Sequence, residues 1–451
     1  MGRLFGTNGI RGVFGEDLTL DLALDVSYSL ATFFHDKPVL TGYDGRHSST
    51  AISKVVRAGM NALGIDVANA ALVPTPCLQF CVKKLDYSGG VMITASHNPP
   101  EYNGIKVIAS DGIELSRENE LKVEAIYFEK DFRRLDHKIG ADVNEPRAVQ
   151  TYIDGIKSLV NVALIRSKKL TVVLDLGNGA QVVTAPKLMQ ELGCKVITVN
   201  SIIDGAFPGR GSEPTSDNLG LLSRTVIENS ADVGIAYDGD GDRSIFCDEK
   251  GIVHGGDKTA AMLAEHLLLN DVNAKIVTPI NSSTLIDIIA SKYNSKVIRT
   301  KVGSVEVSRE MLDSNAIVGF EENGGFMYGK HLAVRDGAMT SALMLELIAS
   351  GSLHLSKIID ALPKFYQYKT KFTCSKEQSS RVLDYLVNNA RGNVETLDGV
   401  KIWLNDSSWV MVRQSGTEPV MRLYAESNDI KFLNETVEDY NKQVRKIIDG
   451  Y

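Results

Sequence analysis

Three aspartates alternate with two glycines in the segment 233–247, which reads V-G-I-A-Y-D-G-D-G-D-R-S-I-F-C. Asp238, Asp240 and Asp242 place three negative charges close together, which is unfavourable unless a cation lies among them. The glycines let the chain curl so that carboxylates two residues apart can converge. Oxygen ligands without His or Cys suit Mg²⁺ better than zinc or copper. The pattern predicts a divalent-metal site, with a solvated acidic turn as the alternative.

A second polar loop, residues 94–106, reads T-A-S-H-N-P-P-E-Y-N-G-I-K. It holds a hydroxyl nucleophile candidate, Ser96, with His97 beside it and Lys106 at the end of the loop. The G-x-S-x-G elbow of ordinary esterases is missing. The loop therefore predicts either a serine that takes part in chemistry or an Asn-Pro turn with a capping serine.

A third polar loop, residues 319–325, reads G-F-E-E-N-G-G. Glu321 and Asn323 are two residues apart, so they lie on one side of the chain if the backbone is extended. Such a pair suits two hydroxyl groups of a sugar. A surface turn is equally consistent with the pattern.

A fourth polar loop, residues 412–419, reads V-R-Q-S-G-T-E-P. Here Gly416 permits backbone N–H groups to converge, the hydroxyls of Ser415 and Thr417 can donate, and Arg413 adds a bidentate fork. These groups are the parts of a phosphate cradle. Together with the aspartate segment they indicate phosphate chemistry assisted by a metal.

Near the N-terminus, F-G-T-N-G-I-R-G (residues 5–12) places Arg11 among flexible glycines, where a second contact to an anion is expected. The known nucleotide-binding loops are missing, since no G-x-x-x-x-G-K-[ST] occurs and the G-N-G at 177–179 lacks a third glycine. Phosphate chemistry without a nucleotide motif indicates a phosphorylated small molecule as the substrate.

The elements that position these loops form a weak internal repeat. Units beginning at residues 38–43, 170–175 and 274–279 each read strand–helix–strand–helix–strand–loop–strand, with the polar loop at the equivalent place. Alternating strands and helices predict parallel sheets, and the two closely spaced last strands predict a hairpin at the sheet edge. A repeat this long indicates domain duplication rather than a solenoid.

Because 451 residues exceed one ordinary core, several domains are expected. We predict an α/β protein in which three similar α/β domains with mixed sheets and a smaller C-terminal α+β domain surround a central cleft. The predicted boundaries are 1–150, 151–252, 253–366 and 367–451.

Composition indicates which partners and which cellular compartment to expect. The net charge of −7 argues against nucleic acid as the main partner. Five cysteines without a C-x-x-C pair favour a reducing cytoplasm over a disulfide framework. The N-terminus lacks a signal-peptide apolar region, and the most apolar helical stretch, residues 260–269, is too short to cross a bilayer. We therefore expect a cytoplasmic protein without membrane contact.

The polar loops taken together resemble those of the α-D-phosphohexomutase superfamily. T-A-S-H-N-P, D-G-D-G-D-R, G-F-E-E-N-G-G and R-Q-S-G-T-E-P stand in that family's order, one in each domain, so the resemblance covers essentially the whole chain. F-G-T-N-G-I-R-G adds a likeness to the archaeal and bacterial phosphomannomutase/phosphoglucomutase and phosphoglucosamine mutase branches.

The resemblance implies a phosphohexomutase that interconverts the 1- and 6-phosphates of glucose or mannose. Ser96 would be carried as phosphoserine and a hexose 1,6-bisphosphate would be the intermediate. Asp238, Asp240 and Asp242 would hold Mg²⁺, with a phosphoserine oxygen completing the site. Alternatives are a phosphoglucosamine mutase acting by the same mechanism and a non-catalytic sugar-phosphate-binding protein. The implied partners are sugar phosphates, and a homo-oligomer is left open.

The resemblance also implies roles for the other polar residues of the cleft. His97 and Lys106 match positions implicated in proton transfer, and Arg243 matches the basic residue that follows the metal loop. Arg11 is implied to line the cleft and is grouped with Ser96, His97, Lys106 and Arg243 as catalytic. The residues implied to contact the substrate are Lys301 in R-T-K-V-G-S, Glu321, Asn323, Arg413, Ser415, Gly416 and Thr417.

The chain departs from the family pattern in its third loop. Relatives often have Ser where Asn323 stands and His where Gly325 stands. Asn can make the same hydroxyl contacts as Ser, whereas the absent imidazole leaves the acid/base assignment open. His331, which lies nearby in the sequence, is a candidate to compensate for it.

Overall fold

The structure is a computed structural model, and it describes residues 4–6, 8–35, 37–133, 138–351, 354–415 and 419–450. Predicted site residues Gly416 and Thr417 lie outside the described part of the chain. Across the described residues, no helix combines the length and apolar character needed to cross a bilayer.

The first domain is built on a mixed six-stranded sheet in the spatial order β1-β5-β4-β2-β3-β6. Its strands are β1 (Ile10–Val13), β2 (Val39–Tyr43), β3 (Val67–Leu72), β4 (Gly89–Ile93), β5 (Tyr102–Ala109) and β6 (Asp142–Asn144). Its helices are α1 (Leu20–Phe34), α2 (Ser49–Ala62), α3 (Thr75–Lys84) and α4 (Arg117–Glu129). Strands β2, β3, β4 and β6 run parallel, and β5 is antiparallel to both β4 and β1.

The second domain carries a five-stranded sheet in the order β11-β10-β9-β7-β8. Its strands are β7 (Thr171–Asp175), β8 (Lys195–Val199), β9 (Val233–Tyr237), β10 (Ser244–Asp248) and β11 (Val253–His254). Its helices are α5 (Ala148–Lys157), α6 (Val162–Lys168), α7 (Ala185–Glu191) and α8 (Gly220–Glu228), with a 3₁₀ turn at Ala180–Val183. Strands β8, β7 and β9 are parallel, and β10 returns antiparallel to β9.

The third domain repeats this plan in the order β13-β12-β14-β15-β16. Its strands are β12 (Lys275–Pro279), β13 (Lys296–Thr300), β14 (Val318–Glu321), β15 (Gly325–Tyr328) and β16 (Leu332–Arg335). Its helices are α9 (Gly256–Leu268), α10 (Leu285–Lys292), α11 (Ser304–Ser314), α12 (Gly337–Ser350) and α13 (Leu355–Asp360). The predicted repeat is therefore confirmed, with the hairpins β4–β5, β9–β10 and β14–β15 in equivalent places.

The fourth domain is a smaller α+β unit with a fully antiparallel sheet in the order β17-β21-β20-β19-β18. Its strands are β17 (Tyr366–Thr373), β18 (Asn393–Glu395), β19 (Val400–Asn405), β20 (Ser408–Gln414) and β21 (Val420–Ser427). Its helices are α14 (Lys376–Asn388) and α15 (Ile430–Asp449). The predicted fold class is confirmed.

The apolar cores join the fourth domain to the others less extensively than they join the first three domains to one another. One continuous cluster of buried side chains joins the first three domains and includes Leu78, Leu174 and Leu343. The fourth domain has a cluster of its own, which includes Val412 and Val444. A smaller cluster, in which Ile280 packs with Trp409, joins it to the third domain. Because burial of apolar area is the main driving force of packing, the first three domains form the more firmly joined unit.

Polar groups join the fourth domain to the third. Glu426 of β21 is 1% exposed, and its Oε1 accepts hydrogen bonds from the Thr284 amide (2.8 Å) and from Trp409 Nε1 (3.0 Å). The Nζ of Lys401 donates to the Ile280 carbonyl at 2.9 Å and lies 4.1 Å from the ring centre of Trp409. Each of these contacts joins a strand of the fourth domain to a loop of the third or to a neighbouring strand.

The buried amine of Lys401 gives this interface a testable pH dependence. Burial lowers the pKa of Lys401 to about 7, whereas the amine of an unfolded chain titrates near 10.4. Between these pH values the unfolded state binds more protons, so the free energy of unfolding rises with pH, by at most about 5 kcal/mol. Lys401→Met removes the titrating group at similar volume. Calorimetric melting at about pH 7 and pH 9 should show a smaller rise for the variant, and equal rises would contradict this assignment.

Candidate active site

The polar loops of the first three domains meet because each follows the central strand of its sheet. Ser96 follows β4, Asp238 follows β9, and Glu321 ends β14. In open α/β sheets the crevice beyond the carboxyl ends of the strands is where ligands bind. The structure brings these loops into contact, since Ser96 Oγ donates to Asp238 Oδ2 at 3.0 Å.

The three aspartates form a compact carboxylate cluster. One oxygen from each of Asp238, Asp240 and Asp242 can be chosen so that all three lie within 4.8 Å of one another, and all three residues are buried. Asp240 Oδ1 and Asp242 Oδ1 have no hydrogen-bond partner among the described residues. Buried polar atoms are normally paired, and unpaired carboxylate oxygens are suitable ligands for a hard cation. The cluster can therefore hold a metal ion.

Neighbouring groups make the three carboxylates chemically unequal. Burial and the charges of Asp242 and Asp240 raise the pKa of Asp238 well above its usual range. Burial opposes ionisation of Asp240 too, but Lys106, whose Nζ lies 2.8 Å from Asp240 Oδ2, and the hydroxyl of Thr75 hold its pKa well below the usual range. A cation among the carboxylates would relieve the repulsion felt by Asp238.

Ser96 lies on a strained backbone that is held from one side by a hydroxyl. Its φ of 52° is in the left-handed region, which non-glycine residues rarely adopt. The Ser96 amide donates to Thr94 Oγ1 at 2.8 Å, and Thr94 Oγ1 in turn donates to Asp44 Oδ2 at 2.6 Å. This chain of hydrogen bonds fixes the start of the serine loop.

Arg46, which the sequence analysis missed, fixes the rest of that loop. Its side chain is buried and donates to the carbonyls of Ser96 (2.8 Å) and Asn98 (2.6 Å), while its Nε pairs with Asp44 Oδ2 at 3.2 Å. It also donates to the carbonyls of Pro99 and Tyr102. The D-G-R at 44–46 is the sequence signal, but nothing local shows that the arginine turns towards a loop so much later in the chain.

His97 and Arg243 interact directly beside Ser96. Nη2 of Arg243 lies 3.1 Å from His97 Nδ1, and Ser96 Oγ lies 3.4 Å from the same nitrogen. Because a guanidinium only donates, Nδ1 must accept, which assigns the imidazole proton to Nε2. The charge of Arg243, together with burial, pushes the pKa of His97 well below its usual range. His97 is therefore a neutral imidazole here, without a proton to donate from Nδ1.

Arg335 is the second arginine that the sequence analysis missed. It ends β16, and its guanidinium donates to Asp242 Oδ2 at 2.5 Å and to Glu321 Oε2 at 3.0 Å. Burial opposes its charge, but the two carboxylates raise the pKa of Arg335 above its usual value. The third loop thereby contacts the metal loop. Asn323 Oδ1 accepts from the Gly325 amide at 3.1 Å.

The remaining predicted substrate contacts surround these loops. Arg11 of β1 donates to Asn98 Oδ1 at 2.9 Å, next to the serine loop. Lys301 is exposed in the segment before α11. Arg413 of β20 donates through Nε to Asp398 Oδ2 at 3.1 Å, and the amide of Val302 donates to the same oxygen at 3.0 Å. Asp398 thus joins the loop of Lys301 to the strand of Arg413.

Ser415 and His331 are the two remaining predicted residues whose positions the structure describes. Ser415 is buried directly after β20, and its amide donates to the Val420 carbonyl at 2.8 Å. His331 stacks on Phe80 at 4.3 Å between ring centres, and its Nε2 lies 3.3 Å from Asp336 Oδ2. The described contacts of His331 belong to the interdomain core, so it does not supply the imidazole that is missing at position 325.

The chain matches a consecutive set of family models along nearly its whole length. These describe the alpha/beta/alpha domains I, II and III and the C-terminal domain of phosphoglucomutase/phosphomannomutase. They match residues 2–134, 150–251, 255–366 and 371–443.

Similar proteins extend over the full chain. A phosphoglucosamine/phosphogalactosamine mutase of Sulfurisphaera tokodaii is 40% identical over 460 residues, and a phosphoglucomutase/phosphomannomutase of Thermococcus kodakarensis is 38% identical over 457 residues, each with 100% of both chains covered. A crystal structure of a phosphoglucomutase/phosphomannomutase family protein from Burkholderia thailandensis aligns with a TM-score of 0.89 at 23% identity, covering 98% of this chain and 97% of that one. The last of these likenesses concerns the fold alone.

Proposed function

The chain belongs to the phosphoglucomutase/phosphomannomutase family, and from this premise we propose that it moves a phosphoryl group between O1 and O6 of a hexose through phosphoserine at Ser96. The protein is accordingly a phosphohexomutase, an intramolecular phosphotransferase. The resemblance inferred from its motifs is confirmed at this level. The carrier, the metal and the sugar are the parts that we propose.

One observation carries the proposal, namely the hydrogen bond from Ser96 Oγ to Asp238 Oδ2 at 3.0 Å. This hydrogen bond joins the serine loop to the metal loop. Among the described hydroxyls of T-A-S-H-N-P, Ser96 Oγ is the one that contacts the carboxylate cluster. Asp238, Asp240 and Asp242 would hold Mg²⁺ together with an oxygen of the phosphoserine. When bound, Mg²⁺ supplies neutralisation of the charge on the phosphoryl group.

The chemistry proceeds in two transfers of the same kind. In the first, the bond between phosphorus and Ser96 Oγ breaks as phosphorus bonds to the free hydroxyl oxygen of a hexose monophosphate, which loses its proton to a base. The resulting 1,6-bisphosphate turns around, and its other phosphate returns to Ser96. We propose that Lys106 in its neutral form accepts this proton and that His97, beside Ser96, is the second residue of the proton transfer. The ammonium that pairs with Asp240 has no lone pair, so Lys106 must first release a proton to solvent.

The other loops supply binding. Glu321 and Asn323 take sugar hydroxyls, and Arg413 and Ser415, together with the two following residues, take the phosphate that is not transferred. That phosphate stands at O1 in one half of the cycle and at O6 in the other. The phosphate loop should therefore recognise phosphate and tolerate either face of the ring. Arg11 and Lys301 add positive charge to the cleft.

Glucose and mannose phosphates are the substrates we propose, with glucosamine phosphate as the alternative. The two relatives differ in this respect, since one is named for glucosamine and galactosamine and the other for glucose and mannose. These sugars differ at carbon 2 or carbon 4, where one or two hydroxyl contacts decide preference. A cytoplasmic setting fits the five buried free cysteines.

The test is turnover of the purified protein on the three hexose 1-phosphates. We expect conversion of at least one of them to the 6-phosphate, stimulation by catalytic amounts of the 1,6-bisphosphate, and loss of rate in EDTA that Mg²⁺ restores. Calorimetry with the same ligands serves as the control for binding. Tight binding of a hexose phosphate without any turnover would show a non-catalytic binding protein instead.

A further inference from the structure

Gly325 is the first residue of β15, and a neighbouring side chain, rather than its own backbone conformation, explains why this position is glycine. Its φ lies outside the left-handed region that favours glycine. A Cβ at this position would lie 2.4 Å from Arg335 Cδ and 2.9 Å from Arg335 Cγ, closer than carbon atoms can approach. The space that a side chain at 325 would take is filled by the stem of Arg335.

The guanidinium at the end of that stem lies between two domains. Arg335 is 5% exposed, and its two terminal nitrogens contact carboxylates of different loops, Asp242 of the metal loop and Glu321 of the sugar loop. Lys106 Nζ lies 3.5 Å from the same Asp242 oxygen. Asp242 therefore already has a cation beside it, whereas Arg335 is the ion-pair partner described for Glu321. Charge alone does not explain why one buried side chain contacts both carboxylates.

A rigid fork does explain it. A guanidinium is planar and holds two acceptors at fixed positions, whereas the lysine ammonium is a point charge on a flexible stem. We propose that Arg335 is a positioning residue which sets the distance between the metal loop and the sugar loop, and that residue 325 is glycine in order to admit it. This inference rests on the proposed function, because it assigns the sugar hydroxyls to Glu321.

The consequence is a fixed distance between the bound sugar ring and the phosphoserine. With Glu321 held against Asp242, a hydroxyl bound to Glu321 lies at a fixed place relative to Ser96, which bonds to Asp238 in the same loop. Misplacement of a reacting group by about 1 Å can cost on the order of 100-fold in rate. Loss of the fork should therefore act on the chemical step more than on binding.

The first experiment replaces the fork while keeping the charge. For Arg335→Lys we expect kcat to fall about 100-fold, with KM for the hexose 1-phosphate and Mn²⁺ affinity, measured by electron paramagnetic resonance, each within about threefold of wild type. Lys330→Met is the matched control, since it removes an exposed ion pair with Asp271 from the same hairpin, and it should behave as wild type. Wild-type kcat in Arg335→Lys would show that charge alone suffices and would overturn the proposal.

The second experiment tests the packing without any substrate. Gly325→Ala should lower the melting temperature by roughly 1 to 4 °C, and by much less when combined with Arg335→Ala, because the obstructing stem is then gone. Additive effects of the two substitutions would overturn the link between them. A wild-type protein without turnover would refute the proposed function and the positioning role together, whereas wild-type turnover with normal kcat in Arg335→Lys refutes the positioning role alone.

Discussion

Replacing Ser96 by alanine is expected to abolish mutase turnover, by roughly 10⁴-fold or more. Alanine has no oxygen to carry the phosphoryl group, and a water molecule that accepted it would leave as inorganic phosphate and could not return it to the sugar. The fold should survive, because the Ser96 amide and carbonyl contacts do not depend on the hydroxyl. Intact-mass spectrometry should find one phosphate on wild type after exposure to hexose 1,6-bisphosphate and none on the variant.

The matched control is Ser216→Ala. Ser216 is exposed in the segment between β8 and α8, and its hydroxyl contacts only Asp217 among the described residues. It should keep wild-type turnover and wild-type phosphate incorporation. Full turnover by Ser96→Ala in the presence of the bisphosphate would refute Ser96 as the essential carrier.

The repeat could be predicted from the sequence because its signals are local. Strands such as β7, β9 and β12 are buried on both faces, so they read as short apolar runs between helices. In the sequence, a second apolar run directly after each polar loop predicts the hairpin. The polar domain interface around Glu426 could not be predicted, since Thr284 lies 142 residues away in the sequence.

The candidate site likewise contains residues that local spacing predicts and residues that it does not. Asp238, Asp240 and Asp242 stand at alternate positions, so their convergence follows from a single turn. Arg46 contacts Ser96, 50 residues later in the sequence, and Arg335 contacts Asp242, 93 residues earlier. No spacing rule connects such pairs. The sequence predicts the groups that we propose to bind ligands, whereas the groups that hold them in place depend on packing.

The departure at Gly325 shows what each kind of information contributes. The sequence shows that a side chain is missing where relatives often carry an imidazole, and it suggests His331 as a substitute. The structure places His331 against Phe80 in the core and fills the space above Gly325 with the stem of Arg335. A guanidinium stays protonated throughout the physiological range, so it can orient groups in this position but cannot exchange protons as an imidazole does.

Replacing Asp240 by asparagine should remove metal-dependent turnover while leaving the fold intact. Asp240 Oδ1 is buried without a partner among the described residues, so it is free to bind a metal, and an amide is a far weaker ligand than a carboxylate. A metal contributes several kcal/mol to stabilisation of the transferring group, which corresponds to a loss of about 10³-fold or more. Steady-state rates at saturating Mg²⁺, together with Mn²⁺ binding by calorimetry, should both show the loss.

The fold of this variant is protected by its neighbours. Lys106 keeps Asp242 as a carboxylate partner at 3.5 Å, and Thr75 can still donate to the oxygen of the new amide. A melting temperature close to that of wild type is therefore expected. Asp217→Asn, at an exposed position outside the cluster, controls for the loss of one negative charge and should bind Mn²⁺ normally. Since Ser96 contacts Asp238 and not Asp240, unchanged activity of Asp240→Asn would mean that the cluster serves the serine without a metal, and the metal assignment would fall.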